Sequence, residues 1–193
     1  MPTWIALLRA VNLGKHNKLG MPDLRAALAD AGFADVRTYL QSGNVVCTSR
    51  LRSEPKVSTE ISGLIRQRFG LDVPVAVRTV DQLTACIEAM PFRAQADQMP
   101  SRTLVTFLDT EPTAEQARAF NAADHAPDAA RVIGRACYSV HPNGVHKSRL
   151  TPLRLHRALG TVGTARNWRT VHALVELAAG PPRRAGRGGD AVR

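Results

Sequence analysis

The chain has 193 residues, 44% of them hydrophobic and 22% charged, with 26 lysines and arginines against 16 acidic residues for a net charge of +10. That composition is globular rather than disordered and suffices for one large domain or two small ones. No apolar run approaches the roughly 20 residues needed to span a bilayer. Met1-Pro2-Thr3-Trp4 also lacks the basic-then-apolar pattern of a secretory signal, so a cytoplasmic location is expected.

Trp4 to Leu8 is a continuous apolar run and predicts a strand buried on both faces. Met21-Pro22-Asp23 opens a helix with Pro in its first turn, Leu24, Ala27, Leu28 and Ala31 repeat at helical spacing, and Gly32 closes it. Val36–Leu40 and Val45–Thr48 predict a hairpin around Gln41-Ser42-Gly43-Asn44. Val57, Ile61, Leu64, Ile65 and Arg68 are in phase for a second helix ending near Gly70. Val73–Val77 predicts a fourth strand, and its Pro74 suggests an edge position. The order β-α-β-β-α-β is the ferredoxin-like arrangement.

The order then repeats. A connecting helix spans roughly Val80–Met90, and a Pro- and Gln-containing stretch leads to Pro100. Leu104–Leu108 is a strand, and Pro112-Thr113-Ala114-Glu115 starts a helix. Arg131–Ile133 and Cys137–Val140 form a second hairpin about Gly134-Arg135. A helix over Leu150–Leu159 ends at Gly160, a short strand covers Thr161–Thr164, and an amphipathic helix carries Trp168, Val171, Leu174, Val175 and Ala178. The expected fold is therefore α+β: a ferredoxin-like (βαββαβ) subdomain over 1–79, a connecting helix and linker over 80–100, a second such subdomain with a closing helix over 101–180, and a basic tail over 181–193 too poor in apolar residues to order.

Cys47, Cys86 and Cys137 are odd in number and far apart, which does not make a disulfide framework. Cys47 and Cys137 sit in apolar strands and read as buried, inert thiols. His141 and His146 follow Cys137 without the spacing of a zinc site, so no metal and no cofactor is expected. The charge favours anionic partners, including nucleic acid. Many arginines occupy solvent-facing helix positions, however, and Arg183, Arg184, Arg187 and Arg193 lie in the tail.

Three polar islands interrupt these patterns. Arg9 to Lys18 is a Gly-containing basic loop between a strand and a helix, a place where phosphates are held, although it is neither a P-loop nor a dinucleotide fingerprint. The alternative is a solvated loop whose Asn12 and Asn17 satisfy turn backbone. In Gln41-Ser42-Gly43-Asn44 a tight turn competes with a hydrogen-bonding site rim, and nothing nearby activates Ser42 as a nucleophile. In Thr164-Ala165-Arg166-Asn167-Trp168, Thr164 or Asn167 caps a helix, Trp168 reads as a core anchor, and Arg166 is suited to an anion. His141 to Arg149 adds a loop with Lys147 ahead of a helix, and His146 there is an exposed histidine or, less simply, an acid–base group.

Taken in order, Leu7-Leu8-Arg9-Ala10-Val11-Asn12 with Lys15 and Asn17, the Arg37–Val46 hairpin, Lys147-Ser148-Arg149-Leu150 and Thr164–Val171 resemble the bacterial family called domain of unknown function 1697. The resemblance extends over nearly the whole chain up to the tail and implies two ferredoxin-like subdomains but no activity. Ala10 stands where the family often has Gly, and Leu13-Gly14-Lys15-His16 replaces a more Gly-rich turn.

The resulting expectation is a protein that binds a small anionic or nucleotide-like ligand in a basic, amide-rich cleft. Arg9, Asn12, Lys15, Asn17, Gln41, Ser42, Asn44, Lys147, Arg166 and Asn167 would line it, with charge from Arg and Lys and orientation from the amides. Single-stranded nucleic-acid binding is the second reading, against which stand the 5% aromatic content and the lack of paired strand aromatics. An enzyme on a phosphorylated metabolite is the third. The islands carry almost no acids, and the sequence offers no paired carboxylates, triad or metal cluster for one.

Overall fold

The structure, a computed structural model, describes residues 1–12 and 18–180. Two four-stranded antiparallel sheets make up its frame. The first contains β1 (Thr3–Leu8), β2 (Ala34–Tyr39), β3 (Asn44–Thr48) and β4 (Val75–Thr79) in the order β2-β3-β1-β4, with α1 (Met21–Asp30) and α2 (Glu54–Phe69) as its crossovers. The second contains β5 (Thr103–Leu108), β6 (Ala129–Ile133), β7 (Ala136–Val140) and β8 (Gly163–Asn167) in the order β6-β7-β5-β8, with α5 (Ala114–Ala122) and α6 (Pro152–Leu159). This is the ferredoxin-like order twice. Between the halves run α3 (Val80–Glu88) and α4 (Arg93–Gln98), and α7 (Trp168–Ala179) closes the chain.

Local chemistry sets the element ends. Thr79 and Thr113 each form a reciprocal capping box with Gln82 and Gln116, starting α3 and α5. Gly70 and Gly160 end α2 and α6 in the left-handed conformation. The fourth strand starts two residues later than Val73, because Pro74 lacks an N–H and only its carbonyl joins the ladder, accepting from Arg9 N–H at 2.9 Å. The last strand is also displaced: it runs through Arg166 to Asn167 rather than ending at Thr164, with Arg166 opposite Val105. The short helix α4 was not expected in the Pro- and Gln-containing stretch.

Period-two alternation divides the cores. On β1, Trp4, Ala6 and Leu8 face α1 and α2, whereas Ile5 and Leu7 face a second core shared with the other half. That shared core gathers Val46 and Ala76 from the first sheet and Val105, Phe107, Ala136 and Tyr138 from the second. Trp168, Val171 and Leu174 of α7 fill it, and α7 packs on β1 and β3 of one sheet and β5 and β8 of the other. Trp168 is thus the core anchor its spacing suggested, and each such buried side chain contributes about 1.5–3 kcal/mol. Both faces of β1 are covered, which is why its sequence is apolar without interruption. A third core lies under α5 and α6 around Leu108, Phe120, Val132, Cys137 and Leu159. Among the described residues no helix is long and apolar enough to cross a membrane.

Candidate functional site

The shared core places two charged side chains where its walls are otherwise apolar. Arg78, fourth residue of β4, lies opposite Ile5, and Arg166, fourth residue of β8, lies opposite Val105. Both are buried, at 4% and 9% exposure. Each crosses to the other half: Arg166 Nη2 donates to Leu8 O at 2.8 Å, and Arg78 Nη2 donates to Leu108 O at 2.5 Å. Each also donates through Nη1 to the carbonyl of the preceding residue, Ala165 or Val77, at 2.8 Å. The residues that follow β1 and β5 meet as well, Arg9 pairing with Asp109 at 2.8 Å. The halves are thus related by an approximate two-fold axis, with a pair of reciprocal arginines around it.

The two arginines differ in their surroundings. Arg166 Nε donates to Asn44 Oδ1, and its Nη2 also reaches Ser42 O at 3.2 Å and Gly43 O at 3.3 Å. Its acceptors are all neutral, and burial lowers its pKa to about 10. Arg78 lies 3.7 Å from the Glu54 carboxylate, which is also paired with Arg135 at 2.9 Å. Burial pulls the pKa of Arg78 down, Arg135 adds to that, and Glu54 opposes it.

The second island therefore acts as a receptor for Arg166. Asn44 is fully buried and donates through Nδ2 to Tyr39 O and Ser42 Oγ while accepting from Arg166. Asn12 is a brace: it donates to Leu19 O at 2.9 Å and Gln41 O at 2.7 Å and accepts from Leu19 N–H at 2.8 Å. Asn12 and Gln41, with Lys18, edge an open hollow of about 370 Å³. Ala10, Asn12 and Leu40 hold positive φ of 56°, 55° and 58°, and such strain at non-glycine residues concentrates where function fixes the backbone. Lys15 and Asn17 lie outside the described residues.

Arg9, Asn12, Gln41, Ser42, Asn44 and Arg166 thus come together at the end of β1. Lys147 does not join them. It is exposed in a 3-10 turn beyond Val140, which pairs with Thr103 at the start of β5. Asn167 caps α7, its Oδ1 accepting from Thr170 N–H at 2.8 Å.

An opening of about 910 Å³ lies on the Arg78 side, along the edge strand β4 and between the halves. Its charged lining is Arg52, Arg78 and Arg135 with Glu54, Asp109 and Glu111, and none of these belongs to the three polar islands of the sequence. Arg135 donates to the Glu54 carboxylate at 2.9 Å and to the main-chain carbonyl of Asp109 at 3.1 Å, while Gln82 Nε2 holds the other Glu54 oxygen at 2.5 Å. Because Arg9 N–H bonds Pro74 O, the ladder parity turns Val75 and Val77 away from β1 along this edge. Ser58 Oγ caps Val75 O and Arg78 caps Val77 O, leaving the two N–H groups as donors on the cleft wall. The one available signal is Arg78 itself, a charge directly after the apolar run Val75-Ala76-Val77 and within the same strand.

A further constellation lies at the open end of the β6–β7 hairpin, where Ala129 pairs with Val140. Ser139 Oγ is 2.9 Å from His141 Nε2, His141 Nδ1 is 3.4 Å from Asp128 Oδ1, and Ser148 Oγ donates to Asp128 Oδ2 at 2.6 Å. The order Ser–His–Asp is that of an activated nucleophile. Ser139 and His141 are buried at 4% and 1% exposure, however, and Ser139 lines neither the 910 Å³ opening nor the groove between α5 and α6. The group acts as a buried polar tie. The cysteines are free; Cys47 and Cys137 are buried, and burial pushes both thiols up to about 12.

Residues 1–138 match the family described as "Protein of unknown function (DUF1697)". The chain belongs to this family. The match covers β1 through most of β7, so the Lys147 and Thr164–Val171 segments lie beyond it. A solved structure of a conserved bacterial protein from Streptococcus pneumoniae superposes with a TM-score of 0.72 at 19% identity, covering 93% of this chain and 99% of that one. At that identity the likeness establishes the fold. No curated protein matches the chain.

Proposed function

We propose that this family member binds a small anionic or nucleotide-like ligand in the seam between its halves. The observation that carries this reading is the accumulation of guanidinium groups there. Arg9, Arg78 and Arg135 share two carboxylates, Glu54 and Asp109, an exposed Glu111 adds a third on the lining, and Arg52 stands exposed at the mouth with no carboxylate in ion-pair range among the described residues. Arg9 and Arg135 each keep a buried Nε without a hydrogen-bond partner. Guanidinium groups meet an oxyanion through paired, charge-assisted hydrogen bonds. The N–H groups of Val75 and Val77 add neutral donors on the same wall, and the volume falls in the range of small-molecule sites, roughly 300–1,000 Å³. In this reading Arg166 positions the β1 exit and its hairpin, while Asn12 and Gln41 form a neighbouring polar rim.

A thermal-shift screen of nucleotides and phosphorylated metabolites tests the proposal, because a ligand bound only by the native state raises the melting temperature. The expected result is a hit whose shift disappears in Arg135→Ala. Silence across phosphorylated compounds, or a hit indifferent to Arg52 and Arg135, overturns it.

A further inference from the structure

The outer, helical face of the second half carries a separate groove of about 420 Å³ between α5 and α6. Its floor is apolar, formed by Ala119, Phe120 and Ala123 on one side and Leu150 and Ala158 on the other. Arg149 and Arg154 stand at its rim. Both are exposed, and among the described residues neither has a carboxylate within ion-pair distance. The acid that borders the groove, Asp124, accepts the Ala126 N–H of its own turn at 2.9 Å. The histidine there, His125, is held by Phe120 O at 2.9 Å, with its ring 4.5 Å from the Phe120 ring. The corresponding face of the first half is different: Arg66 and Arg68 of α2 are paired with Asp72 and Asp30. Those two α2 arginines are neutralised by their partners, whereas Arg149 and Arg154 keep their charge uncompensated among the described residues.

We infer that the groove takes a compact apolar molecule bearing one carboxylate or phosphate, with its body on Phe120, Leu150 and the alanines and its anionic group between Arg149 and Arg154. Guanidinium groups bind such oxyanions through paired N–H donors and are weakly hydrated, so exposed arginines lose little on engaging one. The alanines matter because a larger side chain at Ala119, Ala123 or Ala158 would fill the space. The volume lies at the low end of the roughly 300–1,000 Å³ typical of ligand sites, which fits a single-ring molecule. None of these residues lines the seam, so the two sites stand or fall separately.

The test is a titration of the isotopically labelled full chain with phenyl phosphate, benzoate and inorganic phosphate, read by amide NMR shifts. Phenyl phosphate and benzoate are expected to move the amides of Ala119, Ala123, Leu150 and Ala158, with inorganic phosphate at least about tenfold weaker for want of an apolar body. The Arg149→Gln/Arg154→Gln variant should weaken phenyl phosphate at least about tenfold while leaving seam amides unmoved. Ala158→Leu, which keeps both arginines and fills the floor, should remove binding even if the double variant fails to fold. Shifts confined to other surfaces, unchanged affinity in these variants, or no shift at millimolar ligand would overturn the inference.

Discussion

Arg78 and Arg166 are the same residue of the two halves, each donating from the fourth position of a last strand to the final carbonyl of the other half's first strand. The equivalence extends to the hairpins, since Leu8 N–H bonds Gly43 O and Leu108 N–H bonds Arg135 O. What differs is the compensation. Arg78 opens onto Glu54 and a large cleft, whereas Arg166 is closed over by Asn44 and three carbonyls. One arginine of the pair has become a fastener, and the other stands on the wall of a candidate site.

Replacing Arg166 with alanine should destabilise the protein by about 3 kcal/mol, because the Asn44 oxygen loses its donor inside the protein and the side chain leaves a void. Lysine should recover little, since one ammonium cannot reproduce the fork that meets Asn44 and Leu8 together. Urea unfolding gives the measurement: a lower midpoint at unchanged slope is expected for both variants. Wild-type stability in Arg166→Ala would mean that the contacts contribute no net energy.

Gly43 is the tightest point of this arrangement. Its φ is +74°, and a Cβ there would lie 2.5 Å from Val11 Cγ2 and 2.7 Å from Leu8 Cβ. Left-handed strain adds about 1–2 kcal/mol to that overlap. Gly43→Ala should therefore cost more than about 2 kcal/mol, whereas Gly134→Ala, in the equivalent hairpin at φ +54° with open space around it, should cost only the strain. Parallel denaturation of the two variants decides the point, and equal losses would contradict it.

The frame was legible because its signals are local. β1 is apolar throughout since both its faces are covered, and the helix stops at Gly70 and Gly160 follow from one residue each. β8 was misplaced because its inward residues are Thr164 and Arg166, which no hydrophobic alternation reveals. The sequence did single out Arg166, Asn44 and Asn12 as unusual, and they do converge. Their partners lie as far as 158 positions away, however, and only the packed structure shows that most of their hydrogen-bonding capacity goes to the protein itself. The cleft of Arg52, Glu54 and Arg135 carries no contiguous motif, and Ser139, His141 and Asp128 are brought together by the register of the β6–β7 hairpin.

The buried thiols supply a pH test. Cys47 and Cys137 have their pKa raised from 9.0 to about 12 by burial, because a thiolate in either core would be stripped of water. The unfolded chain ionises these thiols near 9 while the native state keeps them protonated. Between pH 9 and about 12 the native state therefore binds more protons, and stability falls as pH rises; below pH 9 the contribution is complete. Each thiol should lose on the order of 1 kcal/mol by one unit above 9. Tyr138, whose pKa burial also raises, acts in the same direction but is common to wild type and variants. Unfolding under reducing conditions at pH 8 and pH 10 should show the wild type losing more stability across this interval than Cys47→Ala/Cys137→Ala, even though the double variant is the less stable protein at pH 8. Equal losses in the two proteins would mean that the thiols are hydrated in the native state, and the closed cores around Cys47 and Cys137 would have to be redrawn.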